Sequence, residues 1–151
     1  MSCYLYYYLR KKDLPENEDG IWLTEFPTSL ARELDKEIGY EYEKRTVLDD
    51  DLANATSEFY EKRINELKTV LAKCEERARD LRALYVQAQS ECVLNDIKDE
   101  MSANEELKEY ELEQLEDYSW YQGRFDVVCD ILATTAPTGE LNDYEIVYYI
   151  G

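Results

Sequence analysis

The alternation of apolar and polar residues predicts strands at both ends of the chain. The segments CYLYYYL near the beginning and YEIVYYI near the end are rich in tyrosine and aliphatic residues, which suit a pleated and half-buried surface. A turn-rich loop and a second apolar run follow the first segment, so residues 1–27 are predicted to form a β-hairpin. Because an isolated hairpin is only marginally stable in water, we expect residues 143–150 to add a third strand.

The centre of the chain has the periodicity of helices. Apolar or small residues recur at alternating intervals of four and three, which defines a narrow seam for packing against another helix. This pattern predicts a helix over residues 52–94. The seam positions are Tyr60, Ile64, Leu67, Leu71, Cys74, Ala78, Leu81, Tyr85, Ala88 and Cys92.

A second long helix is predicted over residues 103–133. Ser102 and Glu105 have the spacing of a capping box, in which the serine oxygen and the glutamate carboxylate each satisfy an amide group at a helix start. A helical wheel then places the apolar residues of this segment on one broad face. Its members are Leu107, Tyr110, Leu115, Tyr118, Tyr121, Phe125, Val128, Cys129 and Leu132.

These elements predict a single α+β domain spanning residues 1–151. Two long helices with a short connection should fold back as an antiparallel hairpin, beside a small three-stranded sheet made by the N-terminal hairpin and the final strand. A short helix is expected over residues 28–38, with Thr28 or Ser29 as its cap and Gly39 at its end.

Charge changes this picture by indicating a kind of partner. The chain has 35 acidic and 17 basic residues, for a net charge of −18, and residues 95–118 alone carry ten acidic residues against two lysines. A field of this sign repels nucleic acid and anionic membranes and attracts basic protein surfaces. We therefore expect a basic protein surface as partner, without direct binding of nucleic acid or membrane.

The acidic residues of the second long helix form the candidate binding surface. Six of them fall within about 120° of one another on the wheel, opposite the apolar face, and Trp120 projects to the same side, where tryptophan is typical of an interface hot spot. These candidate partner-binding residues are Glu105, Glu106, Glu109, Glu113, Glu116, Asp117 and Trp120. The alternative interpretations are a merely solvated helix face and a tryptophan packed beneath the sheet or against the short helix.

The sequence lacks the residues of common catalytic sites. It has no histidine, its five glycines are scattered, and its four cysteines are widely separated, so it contains neither a phosphate-binding loop nor zinc-ligand spacing. We predict no catalytic residues, no metal and no cofactor. No 18-residue apolar run is present, and the N-terminal order of charges is wrong for a secretory signal, so a cytoplasmic location is expected.

Two main hypotheses follow. The first is a non-enzymatic binding protein whose acidic helix occupies a basic surface on a partner such as a nucleic-acid-binding protein. Its most specific form is an inhibitor that mimics nucleic-acid charge, as phage-encoded anti-restriction and anti-CRISPR proteins do. The second is a structural or adaptor protein that forms homo-oligomers through the coiled-coil seam. A third possibility is a small enzyme or ligand-binding domain with its pocket between sheet and helices, which a lining of buried carboxylates would favour.

Overall fold

A computed structural model describes residues 4–15, 18 and 20–151 of the chain. The start of the predicted hairpin, including Cys3, and part of its loop therefore lie outside the described residues. The elements follow one another as β1 (Leu5–Lys11), β2 (Ile21–Phe26), α1 (Thr28–Ile38), β3 (Thr46–Val47), α2 (Asp50–Gln87), α3 (Glu91–Thr134) and β4 (Tyr144–Ile150). The protein is thus a mixed α and β structure, as predicted.

The sheet has four antiparallel strands within the described residues, in the order β2-β1-β4-β3. β1 and β4 pair along their whole length, from Leu5 opposite Ile150 to Lys11 opposite Tyr144. The predicted three-stranded sheet was wrong by one strand, because β3 adds Thr46 and Val47 to the outer side of β4. Two residues are too few to show an alternating pattern, so the sequence contained no signal for this strand.

The chain divides into two compact units, the first comprising residues 1–60 and 121–151 and the second residues 61–120. Aromatic rings meet at the centre of the core of the first unit. The Phe125 ring, on α3, lies 5.6 Å from Tyr7 on β1 and 5.7 Å from Tyr60 on α2, centroid to centroid. The inward side of the sheet also buries aliphatic side chains, those of Leu5 and Leu9 on β1 and of Ile146 and Ile150 on β4.

The ends of α1 agree only in part with expectation. Gly39 ends the helix with φ 91°, and its amide donates to the carbonyl oxygens of Leu34 and Asp35, as the predicted stop requires. The prediction that Thr28 or Ser29 caps the other end was wrong, because Pro27 holds that position without a side-chain cap. Proline lacks an amide hydrogen and favours the extended φ of a cap, so it starts the helix as well.

The long helices begin and end elsewhere than predicted. α2 ends at Gln87 and α3 begins at Glu91, so the break comes earlier than the capping box suggested. Ser102 lies inside α3, where half-buried Leu94, buried Ile97 and half-buried Met101 continue the apolar spacing without interruption. A serine three residues before a glutamate caps a helix only where the chain turns, and here it does not turn.

In the second unit the two helices run antiparallel. The Arg63 guanidinium lies 5.4 Å from the centre of the Tyr118 ring, Asn104 hydrogen-bonds to the Cys74 carbonyl oxygen, and Arg77 pairs with Glu100. The contacting residues thus have increasing numbers on α2 and decreasing numbers on α3, as an antiparallel pair requires. The predicted α2 seam is buried at Ile64, Leu67, Cys74 and Leu81. Towards its predicted end the seam is open, because Tyr85 on α2 and Cys92 on α3 are exposed.

The predicted apolar face of α3 was wrong in its middle. Leu107 and Tyr110 are 46% and 58% exposed, whereas Asn104, Lys108 and Glu111 are half-buried. The half-buried positions continue the 3-4 spacing that leads to buried Tyr118, so polar residues occupy the packed side of the helix here. A wheel that ranks residues by hydrophobicity cannot find such a seam.

Candidate functional site

The six predicted acidic residues of α3 form one exposed surface, which we call the acidic face: Glu105, Glu106, Glu109, Glu113, Glu116 and Asp117. All six side chains are exposed. They lie on the opposite side of the helix from Tyr118, which is 4% exposed. The twelve-residue interval that they span corresponds to about 18 Å along a helix axis. The structure thus brings the predicted residues together on one ridge.

The charge of the acidic face is not compensated by neighbouring cations. Across the described residues, none of its six carboxylates lies within ion-pairing distance of a lysine or arginine, whereas Glu66 and Glu100 of the same unit pair with Arg63 and Arg77. Lys108, the lysine nearest in sequence, is half-buried on the other side of the helix. The repulsion between glutamates four residues apart is therefore left in place.

Trp120 extends the acidic face by an aromatic side chain. It is 51% exposed and lies one helical turn after Glu116 and Asp117 on the same side of α3. A large indole beside carboxylates combines apolar contact area with charge, which is the composition of interface hot spots.

Tyr110 also belongs to this surface. The helical wheel predicts it on the apolar face of α3, but it is 58% exposed. Tyr110 lies one turn from both Glu106 and Glu113, on the edge of the acidic face. The signal that could have found it is spacing rather than polarity, because the 4-3 spacing continued back from Tyr118 passes through Glu111 and Asn104 and leaves Tyr110 outside.

Tyrosines also form a ladder on the outer side of the sheet. The Tyr4 and Tyr6 rings are 6.1 Å apart, as are those of Tyr6 and Tyr8, and Tyr4 is 38% exposed. Tyr7, between them in sequence, is fully buried on the inner side. The tyrosines of β1 therefore pack into the core on the inner side and form a partly exposed patch on the outer side.

The groups that could carry out chemistry are few in the described part of the chain. Its buried polar or charged side chains are Arg10, Thr24 and Thr56, so no carboxylate is among them. Burial raises the pKa of the Cys129 thiol, and a hydrogen bond with Ser57 opposes this effect only in part. The raised pKa disfavours a reactive thiolate. No cluster of potential metal ligands occurs among these residues.

No helix in the described ranges has the length and apolarity needed to cross a membrane.

Comparison with known proteins gives no match: no family model, no curated protein and no solved structure is significantly similar to the chain. The function must therefore be argued from the surfaces themselves.

Proposed function

We propose that the protein is a non-enzymatic binding protein whose acidic face occupies a basic surface on a partner protein. The observation that carries this proposal is the set of six exposed, uncompensated carboxylates on one side of α3. Each repels its neighbours, and a sequence that keeps this repulsion gains from it when a cationic surface docks.

The partner class follows from charge density. A duplex carries a phosphate every ~3.4 Å along each strand, and the six carboxylates of the acidic face recur on average every ~3.6 Å along the helix axis. A nucleic-acid-binding protein offers a basic surface at this spacing. The sharper form of the proposal is therefore an inhibitor that takes the place of nucleic acid on such a protein.

Competition with DNA tests this form. Fluorescent duplex DNA bound to a sequence-independent DNA-binding protein serves as the probe, and the chain is added as competitor at several salt concentrations. We expect displacement of the DNA at low salt and a steep loss of this displacement above about 0.1 M salt, where the Debye length has fallen to ~10 Å. An affinity that does not change with salt would contradict an electrostatic mode of binding.

Two charge-matched variants separate the acidic face from net charge. One changes Glu105, Glu109, Glu113 and Glu116 to glutamine. The control changes four exposed glutamates of α2, Glu58, Glu61, Glu75 and Glu76, in the same way. Both remove four negative charges, but only the first should reduce displacement, by about tenfold or more if each charge contributes a few tenths of a kcal/mol. Equal loss in both variants would leave only a nonspecific effect of net charge.

The same pair of variants applies to the native partner. Proteins retained by the wild-type chain and by the α2 variant, but lost with the α3 variant, are candidates for identification by mass spectrometry. A candidate supports the proposal when the purified protein shows the same order of affinities.

The alternative, self-association through the α2 seam, has less support. Leu67 and Leu81 are each 1% exposed within the single chain, so the seam is already occupied by the chain's own side chains. Light scattering of Leu67→Glu distinguishes the two cases. Folded monomers derived from an oligomer would favour assembly through the seam, whereas unfolding would identify it as internal core.

A further inference from the structure

A basic hollow lies on the outer side of the sheet in the first unit. Its volume is about 550 Å³, and among the described residues that line it four are basic and one, Glu145, is acidic. The basic residues are Arg10, Lys12, Lys44 and Arg45. Such a local excess of positive charge is unexpected in a chain whose net charge is −18. The hollow therefore attracts anions, whereas most of the remaining surface repels them.

Arg10 gives the hollow a rigid cationic base. Its side chain is 6% exposed, and Nη2 donates to the carbonyl oxygens of Leu14 at 2.7 Å and Pro15 at 3.0 Å. These two bonds hold the guanidinium in one orientation at the end of β1. A cation that is already ordered loses little conformational freedom when an anion binds.

The charge of Arg10 is only partly compensated. Nε has no hydrogen-bond partner, and the carboxylate that pairs with it within the described residues, that of Glu145, is 3.9 Å away. This distance permits attraction but is too long for a hydrogen bond. A buried cation with an unused donor is stabilised further by an additional anion in its neighbourhood.

The other three cations line the same hollow as Arg10. Arg45 is held over the Tyr149 ring at 5.4 Å, and Lys44 pairs with Glu41 at 3.4 Å through two exposed side chains. Exposed pairs of this kind are weak, so Lys44 can turn toward a ligand. Lys12 is exposed on the chain that leaves β1. Several cations around one hollow suit a doubly charged group better than a single carboxylate.

The remaining lining is apolar. Val47, which is 49% exposed, lies opposite buried Val147 in the β3–β4 pair, and Leu14 also lines the hollow. The volume is within the range of about 300–1,000 Å³ that is typical of sites for small organic ligands. The lining thus has one part for a charged group and another for a carbon skeleton.

From these features we propose that the basic hollow binds a small organic phosphate, with the phosphate among Arg10, Lys12, Lys44 and Arg45 and the organic part on the valines. This site is independent of the acidic face and uses no residue of it.

Titration of the isotope-labelled full chain by NMR at constant ionic strength tests the proposal. The probes are phenyl phosphate, inorganic phosphate and phenol, which separate the contributions of charge and carbon skeleton. We expect the backbone signals of Lys12, Arg45 and Val147 to shift most. Phenyl phosphate should bind most tightly, inorganic phosphate more weakly, and phenol without measurable saturation.

Three variants assign the effect to the hollow. Lys12→Gln and Lys44→Gln keep the length of exposed side chains, and each should weaken phenyl phosphate binding about fivefold or more. Lys62→Gln, at an exposed position of α2, is the matched control and should bind like the wild-type chain. Unchanged affinity in both hollow variants would overturn the proposal.

Two other results would also overturn it. Equal shifts on adding sodium chloride would mean general screening rather than a site. Shifts that grow with protein concentration, and that disappear when Glu105, Glu109, Glu113 and Glu116 are changed to glutamine, would mean that the acidic face of a second copy occupies the hollow instead.

Discussion

Asn104 Nδ2 donates a hydrogen bond of 2.9 Å to the main-chain carbonyl oxygen of Cys74, which joins α3 to α2 in the middle of the second unit. Cys74 is 4% exposed, so this polar contact lies beside buried side chains. A polar side chain at a seam position allows one alignment of two helices and penalises others. The bond therefore fixes the register of a stretch in which α3 offers few apolar residues.

Asn104→Ala should lower the free energy of unfolding by about 1 kcal/mol, the usual net value of one such bond. Urea unfolding measures the change. Asn95→Ala is the matched control, because Asn95 is an exposed asparagine of the same helix. That variant should be neutral or slightly stabilising through helix propensity. Equal destabilisation of the two variants would show that the interhelical bond contributes nothing.

Gly39 and Gly123 should respond to alanine with opposite signs. Gly39 has φ 91°, a conformation that a side chain disfavours, so Gly39→Ala should destabilise the protein by about 1 kcal/mol. Gly123 lies inside α3, and a methyl group added there would meet only open space, so Gly123→Ala should stabilise the protein by ~0.5–1 kcal/mol. Thermal unfolding of both variants checks the two signs together.

The sequence predicted those elements that a repeated local pattern encodes. The strands at the two ends, α1 with its stop at Gly39 and the α2 seam from Tyr60 to Leu81 all depend on spacing or on one glycine. The short β3 and the middle of α3 depend instead on partners distant in sequence. Asn104, Lys108 and Glu111 are half-buried because helix geometry continues the seam through them, and polarity gave the opposite indication.

The candidate surfaces differ in the same way. The acidic face was predictable because like charges recur along one helix. The basic hollow was not, because its cations come from β1, the residues after it and the segment before β3, and no contiguous pattern joins them. Only the strand order brings Arg10 and Arg45 to the same hollow.

Leu67 and Leu107 should differ sharply when shortened. Leu67 is 1% exposed in the α2 seam, so Leu67→Ala should cost about 2–5 kcal/mol by lost burial and a residual cavity. Leu107 is 46% exposed, so Leu107→Ala should cost well under 1 kcal/mol. Urea unfolding compares them. A large effect at Leu107 would restore the apolar face that the wheel predicted.

A buried chain of hydroxyl groups joins the sheet to α2. Thr56 donates to the Leu52 carbonyl oxygen, so its oxygen accepts from Tyr40, 2.8 Å away, and Tyr40 in turn accepts from Tyr7 at 2.7 Å. Tyr40→Phe removes the acceptor of Tyr7 and should cost about 1–3 kcal/mol, the penalty of an unsatisfied buried donor. The control Tyr42→Phe, at a 38% exposed tyrosine, should cost little in the same urea experiment.

The double variant Tyr7→Phe/Tyr40→Phe makes this prediction more specific. Removing both hydroxyls leaves neither of these two positions with an unsatisfied donor, so the double variant should be no less stable than Tyr40→Phe alone. Additive losses would contradict the direction of donation that the Thr56 bond imposes.

Alkaline pH should destabilise the protein through the same residues. Burial raises the pKa of both Tyr7 and Tyr40 above the ordinary value of 10.0. Above pH 10 the unfolded chain releases these protons while the folded chain keeps them, so the folded state binds more protons. The free energy of unfolding should be unaffected by them below pH 10 and fall above it by about 1.4 kcal/mol per pH unit for each tyrosine.

Urea unfolding between pH 9 and 11 measures this slope. Tyr7→Phe should make it shallower, whereas Tyr110→Phe, at a 58% exposed tyrosine, should leave it unchanged. Absorbance of tyrosinate gives an independent check, because Tyr7 and Tyr40 should ionise only as the protein unfolds. An identical slope in all three proteins would assign alkaline destabilisation to other groups.

The pairing of β1 with β4 sets a condition on biosynthesis. Leu5 lies opposite Ile150, so the two central strands come from nearly opposite ends of the sequence. While the ribosome is still making α3, β3 and the edge of β1 that faces away from β2 have no partner strand, so the backbone amides there face solvent or a chaperone. The sheet can close only after β4 (Tyr144–Ile150) has been made, so β1 remains without this partner while α1, α2 and α3 are synthesised.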